Sequence, residues 1–205
     1  MARHQQLAPE KVSDQLERWL AQDGRRTLGG LIDAFGEGSF ALLFVVLMAV
    51  PALPLPTGGV THVFEVIVML LALELTLGRR TVWLPERWRR LELTSARQEK
   101  FVATLLRRVR TLERFSRPRG RWLFGHRLSG SVFGLAVLGL ALTAFLAPPF
   151  SGLDTLPSIG VVVLALGYMM ADIALASAGL LIGALGLASV IFLGSIAVKA
   201  VKSVF

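Results

Sequence analysis

The chain of 205 residues is 54% hydrophobic, contains no cysteine and carries a net charge of +8 at pH 7. This composition excludes an ordinary soluble domain, a disulfide framework and a thiolate metal site. The charge is segregated, since 27–78 and 128–198 contain no Lys or Arg whereas 79–127 carries fifteen basic and four acidic residues. Because hydrocarbon excludes charge and cytoplasmic loops collect Lys and Arg, the pattern predicts an all-α integral membrane protein.

The chain opens with a polar segment, 1–26, whose apolar residues share one face of a short predicted helix: Val12, Leu16, Trp19 and Leu20. This segment has no long apolar run, so we expect no cleavable signal peptide. Its basic residues, from Lys11 to Arg26, predict a cytoplasmic N-terminus. The first membrane hairpin, 27–78, follows. It pairs the apolar runs Leu31–Val50 and Val60–Leu77 across a break rich in proline and glycine, and each run is close to the ~20 residues that cross a bilayer.

The basic segment, 79–127, is predicted to lie on the cytoplasmic side of the membrane. Its apolar residues between Phe101 and Leu112 fall on one helical face surrounded by arginines, which is typical of a helix in the headgroup plane. Packing against the protein's own cytoplasmic side predicts the same pattern, and both alternatives stay open. The topology explains the charge, so we expect no nucleic-acid partner. The arginines expected to face anionic lipid headgroups are Arg79, Arg80, Arg107, Arg108 and Arg110.

The second hairpin, 128–176, repeats the plan of the first. The apolar run Leu128–Ala147 leads away from the basic segment, a break follows at 148–152, and the apolar run Pro157–Ala176 leads back. The C-terminal segment, 177–205, begins with a small-residue break at Ser177-Ala178 and continues as an apolar helix. The glycines at 179 and 183 in this helix form a small-residue packing motif that is common between membrane helices.

The two hairpins align at a constant offset of 94 residues, and their helix-breaking residues match. The matched pairs are Gly36 with Gly130, Pro54 with Pro148, Thr57 with Ser151, Gly58 with Gly152, and Thr61 with Thr155. This alignment predicts a duplicated transmembrane helical hairpin with Pro/Gly-broken or re-entrant turns. Duplicated hairpins bury equivalent faces together, so we expect Gly58 and Gly152 to approach each other. The alignment leaves open whether the repeats are parallel or inverted, and whether the hairpins span the membrane.

Glu65 is the leading site candidate, because a charge within an apolar run is costly in a membrane unless it is paired or hydrated. Thr61 and His62 lie four and three residues earlier, so the three side chains share one helix face directly after the first break. A carboxylate beside an imidazole in such a place can hold or relay a proton. A purely structural pair, in which Glu65 binds His62 to lock the packing, predicts the same pattern, and both alternatives stay open.

Other polar residues near the breaks complete the predicted ligand or proton site. Asp154 is expected to cap the helix that follows the second break, and Asp172 lies almost alone in an apolar run. The additional candidates are Thr57, Gly58, Asp154, Thr155 and Asp172.

The remaining acidic residues of the first hairpin are predicted to stabilise the structure rather than to form a site. Glu74 is expected to pair with Arg79 or Arg80 at the cytoplasmic interface, and Asp33 and Glu37 are expected to favour the N-terminus of the first span. The chain carries none of the motifs of hydrolases, metalloproteases or phosphate-binding loops. We therefore expect no enzymatic activity, no cofactor and no metal.

The element Leu77–Pro85, which reads LGRRTVWLP, resembles the ExoD family of bacterial membrane proteins. The break at 51–58, the stretch RTLERFSRPR at 110–119 and the order of the two hairpins are similar as well. The resemblance implies a role in exopolysaccharide synthesis and a link to alkaline tolerance, without a molecular activity. The Pro-Gly hairpins are also similar to the re-entrant elements of DedA-type lipid transporters, although the spans of this chain lack the arginine expected in such a site.

Two functions remain open. The first is a small transporter or lipid-handling protein of the bacterial inner membrane, multi-pass, which supports exopolysaccharide synthesis or export and has its site where the two breaks meet. The second is a non-transporting scaffold or regulator that uses the basic segment to organise a polysaccharide synthesis complex. The expected partners are membrane lipids with anionic headgroups and the polysaccharide synthesis machinery, and a homodimer is left open.

Overall fold

The structure is a computed structural model that describes residues 14, 17–18, 21, 27–53, 60–83, 85–90, 107, 110–111, 120, 122, 127–148 and 151–204. These residues are helical apart from turns and connections, and they contain no strand, which confirms the all-α class. In chain order the helices are α1 (Leu28–Phe35), α2 (Ser39–Met48), α3 (Val60–Thr76), α4 (Glu86–Arg89), α5 (Arg127–Leu146), α6 (Thr155–Met169) and α7 (Ile173–Val204). The apolar faces of the two predicted amphipathic helices lie outside the described residues, as do Thr57, Gly58 and Arg108.

The first apolar run is divided, so its prediction as one continuous helix is wrong. Helix α1 ends at Phe35, a 3-10 turn occupies Gly36–Gly38, and α2 then begins at Ser39. Gly36 has a φ of +50°, which an L side chain rarely adopts, and the Ser39 hydroxyl donates a hydrogen bond to the Gly36 carbonyl at 2.6 Å. Helix α2 is therefore only ten residues, about 15 Å, long.

The break before the last helix lies earlier than predicted. Helix α6 ends at Met169 and α7 begins at Ile173, so Ser177-Ala178 lies inside α7. Ala171 adopts a φ of +50° at the break. The Asp172 carboxylate accepts hydrogen bonds from the backbone N–H groups of Ala174 at 3.0 Å and Leu175 at 3.4 Å. An N-cap of this kind starts a helix, and it places the boundary at Asp172.

Four helices enclose the core. Helix α2 packs against α3 and α6, and α5 packs against the same two helices, so the four form a closed ring. Helix α2 is apolar all round and is buried over most of its length, as expected for a central helix. The rings of Phe44 and Phe133 lie 5.8 Å apart, and Phe133 stacks on Tyr168 at 4.1 Å, joining α2, α5 and α6.

The two proline-glycine breaks lie at the same end of the bundle. At this end, which we call the loop end, the His62 ring near the start of α3 contacts the Phe145 ring near the end of α5 at 5.3 Å. At the opposite end, the basic end, Gly134 of α5 lies against Ala72 and Thr76 of α3. Helices α3 and α5 are therefore antiparallel, and the start of α3 and the end of α5 lie together at the loop end.

Helices α6 and α7 make the most extensive contact in the bundle. A Cβ on Gly160 would lie 2.6 Å from the Cα of Gly183, and a Cβ on Gly179 would lie 2.3 Å from the backbone N of Leu164. Small residues thus let the two backbones touch, as in packed membrane helices. At the loop end Gly186 meets Pro157, and α7 then continues to Val204, about 27 Å further.

Two helices are long and apolar enough to cross a membrane by length and composition. Their apolar stretches are Leu128–Leu146 and Ile173–Ser195. Large apolar side chains are exposed along α3, α5 and α7, for example Leu70, Leu135 and Leu181. Such faces are expected where lipid replaces water.

Candidate functional site

A carboxylate is buried at the loop end of the bundle. Glu65 stands in the second turn of α3 with none of its surface exposed. Its Oε2 lies 2.6 Å from Nδ1 of His62, a short contact of the kind made when one partner is charged. Its Oε1 is buried and has no hydrogen-bond partner among the described residues. One oxygen of the Glu65 carboxylate thus has a hydrogen-bond partner, and the other has none among the described residues.

His62 connects this carboxylate to the surface of the bundle. The imidazole side chain is 26% exposed, whereas Glu65 is fully enclosed. One side of the ring rests against Phe145, with an angle of 66° between the two ring planes. The apolar contact fixes the ring, and the bond to Glu65 orients its Nδ1 inward. Phe145 carried no signal in the sequence, because any apolar residue would have suited its position.

Asp154 brings a second carboxylate to the same end. It is half-buried immediately before α6 and is close enough to interact electrostatically with Glu65. The prediction that Asp154 caps α6 is wrong, because its side chain makes no capping hydrogen bond. Its backbone has φ −69° and ψ −21°, whereas a capping residue is normally extended. The Asp154 side chain therefore does not cap α6, and its carboxylate lies near Glu65 instead.

We define the loop-end cluster as Thr61, His62, Glu65 and Asp154. Thr61 is 3% exposed and lies one turn before Glu65 on the same face of α3. Thr155 begins α6, and its backbone N–H donates to the Gly152 carbonyl at 3.3 Å. The structure therefore places these predicted candidates at one end of the bundle, around a single buried carboxylate.

Burial makes an ionised, half-satisfied carboxylate costly. An ionised carboxylate in an apolar interior loses several kcal/mol of hydration unless it is paired and hydrogen-bonded. The contact with His62 compensates one oxygen of Glu65, and the nearby Asp154 charge works against a second negative charge. Chemically, the Oε1 position calls for a proton or a cation. The described residues contain no group of three or more His, Cys, Asp or Glu side chains that could hold a metal ion.

Asp172 does not join this cluster. It is buried at the start of α7 and caps that helix. Asp154 and Asp172 flank the two ends of α6, whose 15 residues extend about 22 Å. The structure assigns Asp172 a local role in starting α7 and separates it from Glu65 by the length of the bundle.

The acidic residues at the basic end pair with arginines. Glu74 lies 4.0 Å from Arg79, which confirms the predicted pairing, and its second oxygen accepts a hydrogen bond from the Trp83 backbone at 3.2 Å. Asp33 lies in the last turn of α1, not at a helix N-terminus as predicted, and Arg89 binds both of its oxygens at 2.7 and 2.9 Å. Sequence reasoning missed this pairing, because the two residues are far apart along the chain.

The arginines predicted to face lipid headgroups lie on exposed positions wherever they are described. Arg79, Arg80 and Arg107 are exposed, and Arg110 pairs with Glu17 of the N-terminal segment. Trp83 is also strongly exposed. This end of the bundle therefore presents cations and an indole ring, the groups typical of a membrane interface.

Comparison with known proteins identifies the family. The family described as "Exopolysaccharide synthesis, ExoD" matches residues 12–192. The protein ExoD of Rhizobium meliloti is 33% identical over 150 residues, which cover 71% of this chain and 61% of that protein. An uncharacterized protein of Synechocystis is 27% identical over 178 residues, or 85% of this chain and 83% of that protein. No solved structure matches. The chain belongs to the ExoD family, whose description links it to exopolysaccharide synthesis.

Proposed function

We propose that this protein is a small multi-pass transporter or lipid-handling protein of the bacterial inner membrane that supports exopolysaccharide synthesis or export. Family membership supplies the link to exopolysaccharide. The apolar outer faces and the two helices of spanning length support a membrane location. The exposed arginines at the basic end favour an orientation with that end, and the N-terminus, in the cytoplasm.

The observation that carries the proposal is the loop-end cluster. Among the described residues, a fully buried carboxylate has one oxygen without a hydrogen-bond partner, and it lies at the loop end of a mainly apolar bundle. Ionisable groups inside membrane bundles are expensive and characteristically mark ion or substrate sites. Transporters commonly place such sites at the interface between repeats with interrupted helices. A purely structural pair with His62 accounts for Oε2 of Glu65 but not for Oε1, which has no hydrogen-bond partner among the described residues.

The arrangement of helices supports an internal duplication. At the offset of 94 residues, α3 maps onto 154–170, within one residue of α6 at each end, and α2 maps inside α5. Helix α2 packs on α6 as α3 packs on α5, so each hairpin's first helix contacts the other's second helix. This pattern is the one expected of two hairpins related by a two-fold axis. Because both breaks are at the loop end, we propose parallel repeats.

A scaffold function is the second candidate, favoured by the exposed basic end. Arg79 and Arg90 have more than half of their side-chain surface exposed, and Trp83 is exposed beside them. Such a surface suits anionic lipid or an acidic face of the polysaccharide synthesis machinery. In that case Glu65 would have no part in function. We propose no enzymatic activity for either alternative.

A reconstitution experiment separates the two candidates. Purified protein is placed in liposomes that contain a fluorescent phospholipid and an enclosed pH-sensitive dye, and both lipid scrambling and ion flux are measured. We expect one of them above protein-free liposomes, with a loss of at least about tenfold in Glu65→Gln. Glu74→Gln is the matched control, because Glu74 is on the same helix but pairs with Arg79 at the basic end.

The same variants are tested for exopolysaccharide output in cells that lack the native protein. The transporter proposal expects Glu74→Gln to restore output and Glu65→Gln to fail although it is folded and inserted. Melting temperatures of both variants are measured alongside. Full output from Glu65→Gln, with neither flux nor scrambling from the native protein, contradicts the transporter and supports the scaffold.

A further inference from the structure

We propose that the loop-end cluster is a proton-binding site in which Glu65 holds the proton and His62 passes it between the buried carboxylate and the surface. The proton would be the ion coupled to transport, and that consequence rests on the proposed function. Proton binding itself does not rest on the proposed function, because it depends only on the geometry of the cluster.

The binding atom is Oε1 of Glu65. It is buried and unpartnered among the described residues, while the other oxygen already contacts His62. A proton needs a single oxygen, whereas a metal ion needs several ligands, and the described residues assemble no such group. A single carboxylate beside one imidazole therefore suits a proton.

The charges that surround Glu65 are few. On its own helix His62 is in contact, and Glu74 is nine residues away, on the opposite face and at the other end. Helix α6 contributes Asp154 at its start. Helix α2 carries no titratable residue, and α5 carries only Arg127, at the basic end. Among the described residues of these helices, the titratable groups that bear on Glu65 are therefore His62, in direct contact, and Asp154.

His62 is placed to act as the relay. Its Nδ1 lies 2.6 Å from Glu65, and 26% of its side chain reaches the surface. Nε2 of the imidazole takes a proton from the medium, Nδ1–H donates its own proton to Oε2 of Glu65, and rotation of the carboxyl group then brings that proton to the Oε1 position. The imidazole returns to neutrality as the other tautomer, and the carboxylate becomes a carboxyl. One proton has moved and no other group has changed, so the step balances, and a ring flip or proton exchange resets the tautomer.

Infrared difference spectroscopy on the purified full-length protein tests the proposal. The carbonyl stretch of a protonated carboxyl is recorded while the buffer is changed from acidic to alkaline. The native protein and Glu74→Gln should each show a band from a buried carboxyl, and Glu65→Gln should lose it. Glu65→Asp should keep a band at a changed position, which guards against loss through misfolding. Circular dichroism and size-exclusion chromatography check the fold of each variant.

A pH-jump measurement separates the two roles. His62→Phe removes the relay and keeps an aromatic ring against Phe145, so the carboxyl band should remain while its appearance slows by about tenfold or more. A band retained in folded Glu65→Gln, or unchanged kinetics in His62→Phe, overturns the proposal. If Glu65→Gln loses the band but native liposomes show neither flux nor scrambling, the proton site stands and the transport function fails.

Discussion

The contact between α6 and α7 gives a sharp prediction for stability. In Gly160→Ala the new Cβ would lie 2.6 Å from Cα and 2.7 Å from N of Gly183, and 3.0 Å from the carbonyl oxygen of Gly179. Carbon atoms pack best at about 3.5–4.0 Å, and the atoms met here are backbone that cannot rotate away. The helices must therefore separate by about 1 Å, and overpacking of this kind costs about 1–3 kcal/mol.

Gly139→Ala is the matched control. Gly139 lies within α5, and a Cβ there meets nothing within 4 Å. Both substitutions gain the same helix propensity, about 0.8–1.0 kcal/mol, so their difference isolates the clash. At about 2–4 °C per kcal/mol for a chain of this size, Gly160→Ala should melt about 2–12 °C below Gly139→Ala.

Circular dichroism in detergent at a fixed heating rate measures this difference as an apparent melting temperature. The control should melt at or slightly above the native protein. If Gly160→Ala melts at the same temperature as Gly139→Ala, the two helices do not touch as closely as described, and the reasoning is refuted.

Two further predictions concern the end of α6 and the topology. Asp172→Ala should destabilise the protein by about 1–2 kcal/mol because it removes the cap of α7, whereas Asp172→Asn should keep most of that stability; equal melting temperatures would contradict the cap. The chain has no cysteine, so single-cysteine variants report topology directly. In intact cells whose outer membrane has been permeabilised, Ser151→Cys should react with an impermeant thiol reagent, while Arg90→Cys should react only after the inner membrane is broken. The reverse pattern would invert the proposed orientation.

Local spacing predicted the contacts made within one helix. Residues three and four apart on a helix are neighbours, so the contact between His62 and Glu65 followed from their positions. The pairing of Glu74 with Arg79 followed from the position of Glu74 near the end of α3, close to the basic residues. The segregation of charge along the chain likewise predicted the helical class. These inferences needed only helix geometry and the cost of a charge in hydrocarbon.

Helix boundaries and distant contacts were harder to predict. Ala171 takes a positive φ without being glycine, so the break beside it gave no signal in the sequence, while the small residues at Ser177-Ala178 suggested a break that packing against α6 prevents. Asp154 was expected to cap a helix because aspartate commonly does so. Its helical backbone dihedrals and the approach of α3 depend on tertiary packing, which composition does not report.

The depth of the loop-end cluster explains why a relay is needed. The apolar part of α7, Ile173–Ser195, is 23 residues, about 34 Å, long, which is close to the ~30 Å of hydrocarbon in a bilayer. Gly186, thirteen residues after Ile173, meets Pro157 in the first turn of α6, so the start of α6 lies about 20 Å from the basic end. In the proposed orientation the loop-end cluster is therefore inside the outer half of the membrane, below its surface. A proton from outside cannot reach the fully buried Glu65 directly, and the proposal expects the partly exposed side of His62 to be open to water at the loop end.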